Sequence, residues 1–339
     1  MPGKVKKIKG FRGLFSSFIR ILKLGQNDMA YTHDIWYFKN STEHEFKFKG
    51  RCGAKGEKRQ KKKKATPEQI RRQNQINRQN QIRRTIKANF EPKDLWCCLK
   101  YQAGMRPSVE IVKEDKERFL RYLRTQYRKR GSPMKWVARM EVGKHGGVHM
   151  HILLNRIPME QTDILIEEAW SKSLKKSKAG KQIRTDGLVD YRTTYDAGGF
   201  KQLAEYICKE PKEGTEEYEQ LSLFPKEEQK ALVSVTTSRN LIRPEPEHHE
   251  YKTRTMRKLI EDGPEPSPGY YIDMDTLYIG VNPYNGYSYC KYTEIRLPET
   301  GINPKCEGHF EGKKRKKQKK RRSKVPKSRI NASTEGDFK

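Results

Sequence analysis

The 339-residue chain has no CxxC pair, no G-x-x-x-x-G-K-[ST] loop, no apolar run of bilayer length and, toward its two ends, very little acid. Each absence excludes something. The six cysteines (52, 97, 98, 208, 290 and 306) follow no regular spacing, so neither a disulfide framework nor a zinc ribbon is expected, and a reducing, cytoplasmic setting fits. Without a phosphate-cradling glycine loop the chain should not be an ATP-driven motor and needs no nucleotide cofactor. Any unwinding would then fall to a host helicase. The N-terminal stretch "FRGLFSSFIRILKLG", residues 11–25, is interrupted by Arg and Lys and falls short of the ~20 apolar residues of a membrane span. It reads either as a basic amphipathic helix lying on a membrane or as dispensable sequence ahead of a translation start at Met29; membrane association is not expected.

What the chain has is positive charge, unevenly placed. Lys and Arg total 73 against 42 Asp and Glu, for a net charge of +31. Residues 1–90 carry +18 of it, residues 305–339 carry +10, and the middle 91–304 is nearly balanced at +3. An excess of this size points to a polyanionic partner, most often nucleic acid. A globular centre with basic arms is the expected organisation: a basic, largely disordered arm over 1–65, a polar basic helix over 66–90, a main domain over 91–245, a small β unit over 246–304 and a basic disordered tail over 305–339.

Local patterns give the elements. Thr66-Pro67-Glu68-Gln69 combines a helix-capping residue, a proline at the first helical position and a glutamine three residues after the cap. The helix that follows repeats Gln-Ile and carries almost no acid, so Arg71, Arg72, Arg83 and Arg84 are candidates for phosphate contact; docking of the isoleucine stripe on the main domain is the equal alternative. "DLWCCLKY" (94–101) reads as a strand, and helices are expected over 114–130, 159–174 and 197–211, with a further strand over 183–192. Strands and helices mixed at this spacing predict an α+β fold, a central antiparallel sheet with flanking helices. In the Tyr-rich stretch 264–298, alternating runs around Asn285-Gly286 predict a β-hairpin.

The informative segment is 134–155. Even positions are Met134, Trp136, Ala138, Met140 and Val142, then Val148, Met150, Ile152 and Leu154, all apolar. Odd positions are mostly polar. Period two on both sides of "GKHGG" means two strands with one face each in the core. If Gly143–Gly147 form the loop, Val142 pairs with Val148 and Glu141 lies opposite His149, with His151 a diagonal neighbour at about 7–8 Å. Two imidazoles and a carboxylate on one patch make a divalent-metal site. Phosphodiester chemistry then needs a nucleophile. Tyr206 lies on the helix ending at Pro211, with Lys209 three residues on and Gln202 four before, both near the same face. An ordinary amphipathic helix residue is the plain alternative for that tyrosine. Lys100, Arg139 and Gln202 are further candidates for nucleic-acid contact.

These residues resemble the HUH endonucleases, and among them the rolling-circle replication initiators of phages and plasmids. His149-Met150-His151 is similar to the family's His-hydrophobic-His motif, Tyr206-Ile207-Cys208-Lys209 to its Tyr-x-x-Lys, Glu141 to a third metal ligand on the neighbouring strand, "LWCCLKY" to its first-strand motif, and "SRNLIRPE" (238–245) to a segment that follows the tyrosine in phage-type initiators. The likeness spans about residues 66–245, and no second tyrosine matches. It implies that Glu141, His149 and His151 hold Mg²⁺ or Mn²⁺ against a phosphate of single-stranded origin DNA. It further implies that Tyr206 attacks to leave a 5′-phosphotyrosine and a 3′-hydroxyl for a polymerase, and that Lys209 stabilises charge on the phosphate or lowers the pKa of the tyrosine. The basic ends would add salt-sensitive, sequence-independent affinity, and the tyrosines of 270–292 could stack bases. Relaxases and transposases would share this chemistry. A non-haem iron oxygenase also uses two histidines and a carboxylate, though +31 suits it badly, and a non-enzymatic nucleic-acid binder would need no tyrosine at all.

Overall fold

The computed structural model describes residues 29–48, 65–179, 185–194, 199–281 and 288–298. Its elements run β1 (Met29–Phe38), β2 (Ser41–Phe48), α1 (Pro67–Asn89), β3 (Leu95–Leu99), α2 (Val109–Lys129), β4 (Trp136–Val142), β5 (Val148–Leu154), α3 (Thr162–Leu174), β6 (Val189–Thr193), α4 (Lys201–Ile207), α5 (Glu216–Ser222), α6 (Lys226–Val233), β7 (Val235–Thr237), β8 (Glu247–Thr255), α7 (Arg257–Asp262), β9 (Tyr270–Val281) and β10 (Ser288–Arg296). The strands form two antiparallel five-stranded sheets, β6-β3-β5-β4-β7 and β8-β1-β2-β10-β9. The fold is α+β, as the mixed pattern predicts. Among the described residues, no helix is long and apolar enough to cross a membrane.

The period-two pattern of 134–155 builds the centre of the first sheet in the predicted register. Val142 pairs with Val148 and Glu141 with His149, and the loop closes with Gly143 N–H donating to the Gly147 carbonyl. The even-numbered side chains pack on Phe119, Leu123 and Tyr127 of α2 and on Ile166, Ala169 and Trp170 of α3. The opposite face is not open along its length. Val137 and Leu153, the two apolar exceptions among the odd positions, are fully buried beneath Ile86 and Phe90 of the α1 end and Ala204 and Ile207 of α4. Those two residues explain why helices cover one half of this face and leave the half that carries Glu141, His149 and His151.

Helix α1 begins as predicted. Thr66 Oγ1 accepts from the Gln69 backbone N–H while the Gln69 side chain accepts from Thr66 N–H, closing a capping box. Its C-terminal half docks through Ile82 and Ile86, while Ile70 and Ile76 remain exposed.

Two expectations are overturned. Residues 1–65 are not a disordered arm throughout: 29–48 form β1 and β2, in the interior of the second sheet. The excess charge that marked the arm lies outside this hairpin, which has two lysines and three acids among aromatic and β-branched residues that favour a pleated strand. Nor is 246–304 a unit by itself, because β8, β9 and β10 share their sheet with that hairpin. The segments 1–28, 49–64 and 299–339, together with the Asn285-Gly286 turn, lie outside the described residues.

The two sheets are joined through α1. Arg83 donates to both Glu43 oxygens (2.7 and 2.6 Å), Arg84 to Glu43 (3.1 Å) and Glu45 (2.6 Å), and Lys87 to Glu43 (3.0 Å). The Arg84 guanidinium also lies 3.4 Å over the Trp36 ring. Burial works against the Glu43 carboxylate, but Lys87, Arg83 and Arg84 outweigh it and hold its pKa far below the usual carboxylate range.

Candidate active site

The uncovered half of the first sheet gathers side chains from three adjacent strands and one helix. β4 supplies Glu141 and β5 supplies His149 and His151, as the parity of the sequence requires. Glu141 Oε2 lies 3.2 Å from His151 Nε2 and 4.0 Å from His149 Nε2. On the other side of β5, β3 places Cys98 directly opposite His151. A donor atom from each of Cys98, His149 and His151 lies within 4.8 Å of the others. Trp96, two residues earlier on the same face of β3, stacks on the His151 ring with centroids 5.4 Å apart and planes at 5°.

Helix α4 brings Tyr206 to this group. Its hydroxyl is 3.1 Å from His151 Nε2 and 3.4 Å from Glu141 Oε2, and its ring stands edge-on to both His151 and Trp96. The helix is short, and its placement depends on what grips it. Phe200 enters in the left-handed region (φ 62°) right after Gly199 (φ 61°), a tight reversal that buries the Phe200 ring beside Val137 and Leu153 at a cost of order 1 kcal/mol. Arg139, on β4, holds the other end: its guanidinium donates to the carbonyls of Tyr206 (3.2 Å) and Ile207 (3.1 Å), in the last turn, where a helix runs short of intrahelical donors.

Electrostatics follow from this partial burial. Burial would raise the Glu141 carboxyl, but the His151 hydrogen bond and the charges of Arg139, His151 and His149 prevail and leave it lowered. His149 is also lowered, by burial and then by His151. It is therefore neutral near pH 7 and carries a free lone pair, the form that ligates a metal. The Tyr206 phenol is pushed up to about 12, by burial first and the Glu141 charge second. Cys98 is pushed up to about 11, chiefly by burial.

The donor set suits a divalent cation. Two imidazoles and a carboxylate converge, and His151, 8% exposed, has an Nδ1 without a hydrogen-bond partner. Glu141, His149 and His151 are thus the residues that could hold Mg²⁺ or Mn²⁺.

Of the remaining candidates, several lie elsewhere. Lys209 falls beyond the end of α4; its backbone N–H donates to the Tyr206 carbonyl (3.1 Å), but its ammonium faces Glu217 at 3.8 Å, and no described contact brings that ammonium to the Tyr206 hydroxyl. The helix stops before it because Pro211 follows closely. Arg139 is 2% exposed and braces α4 rather than meeting a nucleic acid. Arg83 and Arg84 are consumed by Glu43 and Glu45, a partnership invisible while 29–48 read as disordered. Lys100 pairs with Asp190 of β6. Arg71, Arg72 and Gln202 are exposed and open to a ligand. Two neighbours, Trp96 and Cys98, escape sequence reasoning: "LWCCL" reads as a strand, but its register against β5 is set by no hairpin turn. Their shared parity was the available signal.

This patch of sheet and helix lies within a recognisable segment. Residues 94–211 match the family model "Replication-associated protein ORF2/G2P". The match encloses Cys98, Glu141, His149, His151 and Tyr206 and covers β3 through α4. It supports a role in DNA replication, as a replication initiator that binds DNA at an origin. No curated protein and no solved structure matches the chain.

Proposed function

We propose that this protein starts rolling-circle replication by nicking and rejoining single-stranded origin DNA through Tyr206. The observation that carries the reading is the approach of the Tyr206 hydroxyl to within 3.1 Å of His151 and 3.4 Å of Glu141, on a patch of metal-competent donors. Mg²⁺ or Mn²⁺ bound there would polarise a phosphate and stabilise the charge that builds on it. Tyr206 Oη attacks phosphorus in line with the leaving 3′-oxygen. The bond to that oxygen breaks, the 5′ side stays on Tyr206 as a phosphodiester, and a 3′-hydroxyl is released once it gains a proton. The phenolic proton has an acceptor in the nearby Glu141 carboxylate. Arg139 and Phe200 keep α4, and with it the attacking oxygen, in register with β4 and β5, which limits the freedom lost on reaching the transition state. Joining is the same displacement run backwards by a 3′-hydroxyl. A host helicase and polymerase would complete the process, since the chain has no motor motif.

The test is a denaturing gel with Mn²⁺, labelled single-stranded DNA carrying a candidate origin from the element that encodes the protein, and Tyr206→Phe and His149→Ala/His151→Ala variants alongside. A protein-linked band in the wild type and in neither variant is expected. An adduct that survives in Tyr206→Phe would move the nucleophile elsewhere. Tight, salt-sensitive binding with no adduct on any origin would leave a plain binding protein.

A further inference from the structure

We propose that Cys98 is a thiolate ligand of this metal centre, so that the site prefers the thiophilic cations Co²⁺, Zn²⁺ and Cd²⁺ over Mg²⁺. The inference rests on reading Glu141, His149 and His151 as metal donors and adds one that neither the Tyr-x-x-Lys nor the His-x-His pattern contains.

The argument begins with strand parity. In "LWCCL" consecutive cysteines point to opposite faces. Cys97 is fully buried in the main core, whereas Cys98 is only partly buried and sits across from His151 on the catalytic face. Among the described residues, Cys98, His149 and His151 are the one group of three His, Cys, Asp or Glu side chains whose donor atoms converge within 4.8 Å. Ligands of a tetrahedral ion stand roughly 3.5 Å apart, given bonds of about 2.3 Å to sulfur and 2.0–2.1 Å to nitrogen, so small side-chain rotations would close the set. A second observation points the same way. His151, nine-tenths buried between Cys98 and Glu141, has a ring nitrogen with no hydrogen-bond partner, which a buried imidazole rarely tolerates unless something else uses it.

Chemistry then selects the ion. Carboxylate and water suit Mg²⁺, whereas thiolate with imidazole suits softer ions. On binding, the sulfur–metal bond forms as the S–H bond breaks, and the proton leaves to solvent; ligation overrides the reluctance of a buried thiol to ionise. Glu141, on the far side of His151, is the hard donor of a mixed set.

Cobalt titration of the purified full-length protein reads this directly. Wild type should develop visible ligand-field bands together with a near-ultraviolet thiolate-to-cobalt charge-transfer band. Cys98→Ser should lose the charge-transfer band, and its Cd²⁺ affinity should fall by at least the roughly ten-fold that even an outer-shell partner is worth, while its Mn²⁺ affinity changes little. Cys290→Ser, in the second sheet, controls for the other thiols and should retain the band. Circular dichroism of each variant secures the fold, and Cys98→Ala, should Cys98→Ser misfold, gives the same reading. Cobalt bound with ligand-field bands but identical charge-transfer spectra in wild type and Cys98→Ser overturns the thiolate and leaves the three-donor site standing. No cobalt or manganese binding by the wild type overturns both readings.

Discussion

Arg139 and Tyr206 meet through the backbone: the buried guanidinium donates to the tyrosine's own carbonyl and to the next one, so a β4 residue fixes the helix that carries the Tyr206 hydroxyl. In the proposed mechanism the arginine touches no reacting atom and acts as a positioning residue.

Replacing it should therefore separate placement from chemistry. Arg139→Met is expected to cost about 1.5–3 kcal/mol, the range for a hydrogen bond to a charged group, and to slow adduct formation while leaving metal affinity nearly intact. Arg139→Lys, which retains a donor but not the fork, should recover part of the rate. Single-turnover cleavage and denaturant titration check both, and an Arg139→Met protein that cleaves at the wild-type rate would remove the bracing role.

Trp96 lies flat against His151. Trp96→Ala should free that ring to rotate and lower Mn²⁺ affinity by something on the order of 10–100-fold, as for other supports of a ligand, with Trp96→Phe close to wild type. Calorimetric titration decides it; equal affinities would make the stack incidental.

The Glu43 cluster predicts acid sensitivity. Its carboxyl pKa is lowered in the folded state, because Lys87, Arg83 and Arg84 together overcome burial. A lowered carboxyl contributes stability in full above its unfolded pKa, and that contribution is lost as pH falls below the ordinary glutamate value of 4.5. Glu43→Gln should already cost about 3 kcal/mol at neutral pH, since half-buried Arg83 and Lys87 lose their carboxylate while Arg84 keeps only Glu45, and should flatten the acid limb of the stability curve. Thermal melts from neutral pH down to pH 3 would show whether the limb flattens.

Lys116 carries the opposite sign. Burial lowers its ammonium to about 8 from the ordinary lysine value of 10.5, even though it donates to Thr236 and lies over Trp136. Below pH 8 the folded state bears a charge it disfavours; between about 8 and 10.5 the unfolded chain holds more protons, so this group makes stability rise with pH. Lys116→Met should abolish that rise and raise the melting temperature at pH 7. A melting temperature with the same pH slope in both proteins would place the titration elsewhere.

Much of the site was legible because it is local. A hairpin turn fixes register, so "GKHGG" sufficed to set Glu141 against His149, and nine apolar residues of one parity told which face was core. Cys98 and Trp96 reach the same patch through a β3–β5 pairing that crosses α2 and β4, and no turn encodes that offset. Lys209 misled because helical spacing was extended past the point where Pro211 lets the helix run. The second sheet was missed for a reason of averaging. Lysine runs on either side of 29–48 swamped the composition, and a strand whose acidic face is neutralised by a distant helix looks, in isolation, like a solvated one. The Tyr-rich strands look in sequence like a separate hairpin because β2, which β10 pairs with, lies more than two hundred residues upstream.

That distant pairing sets an order of events during synthesis. A ribosome delivers β1 and β2 first, then every strand of the first sheet, and only afterwards β8, β9 and β10, the strands that flank the early hairpin on both sides. Until then both edges of the hairpin keep open backbone donors and acceptors, which favour any other edge they meet. Helix α1, emerging next, can shield the acidic face but not those edges. The nascent chain thus completes its first sheet while its older hairpin is still waiting, and a message cut short after residue 245 would yield a folded first sheet tethered to an adhesive β-ribbon.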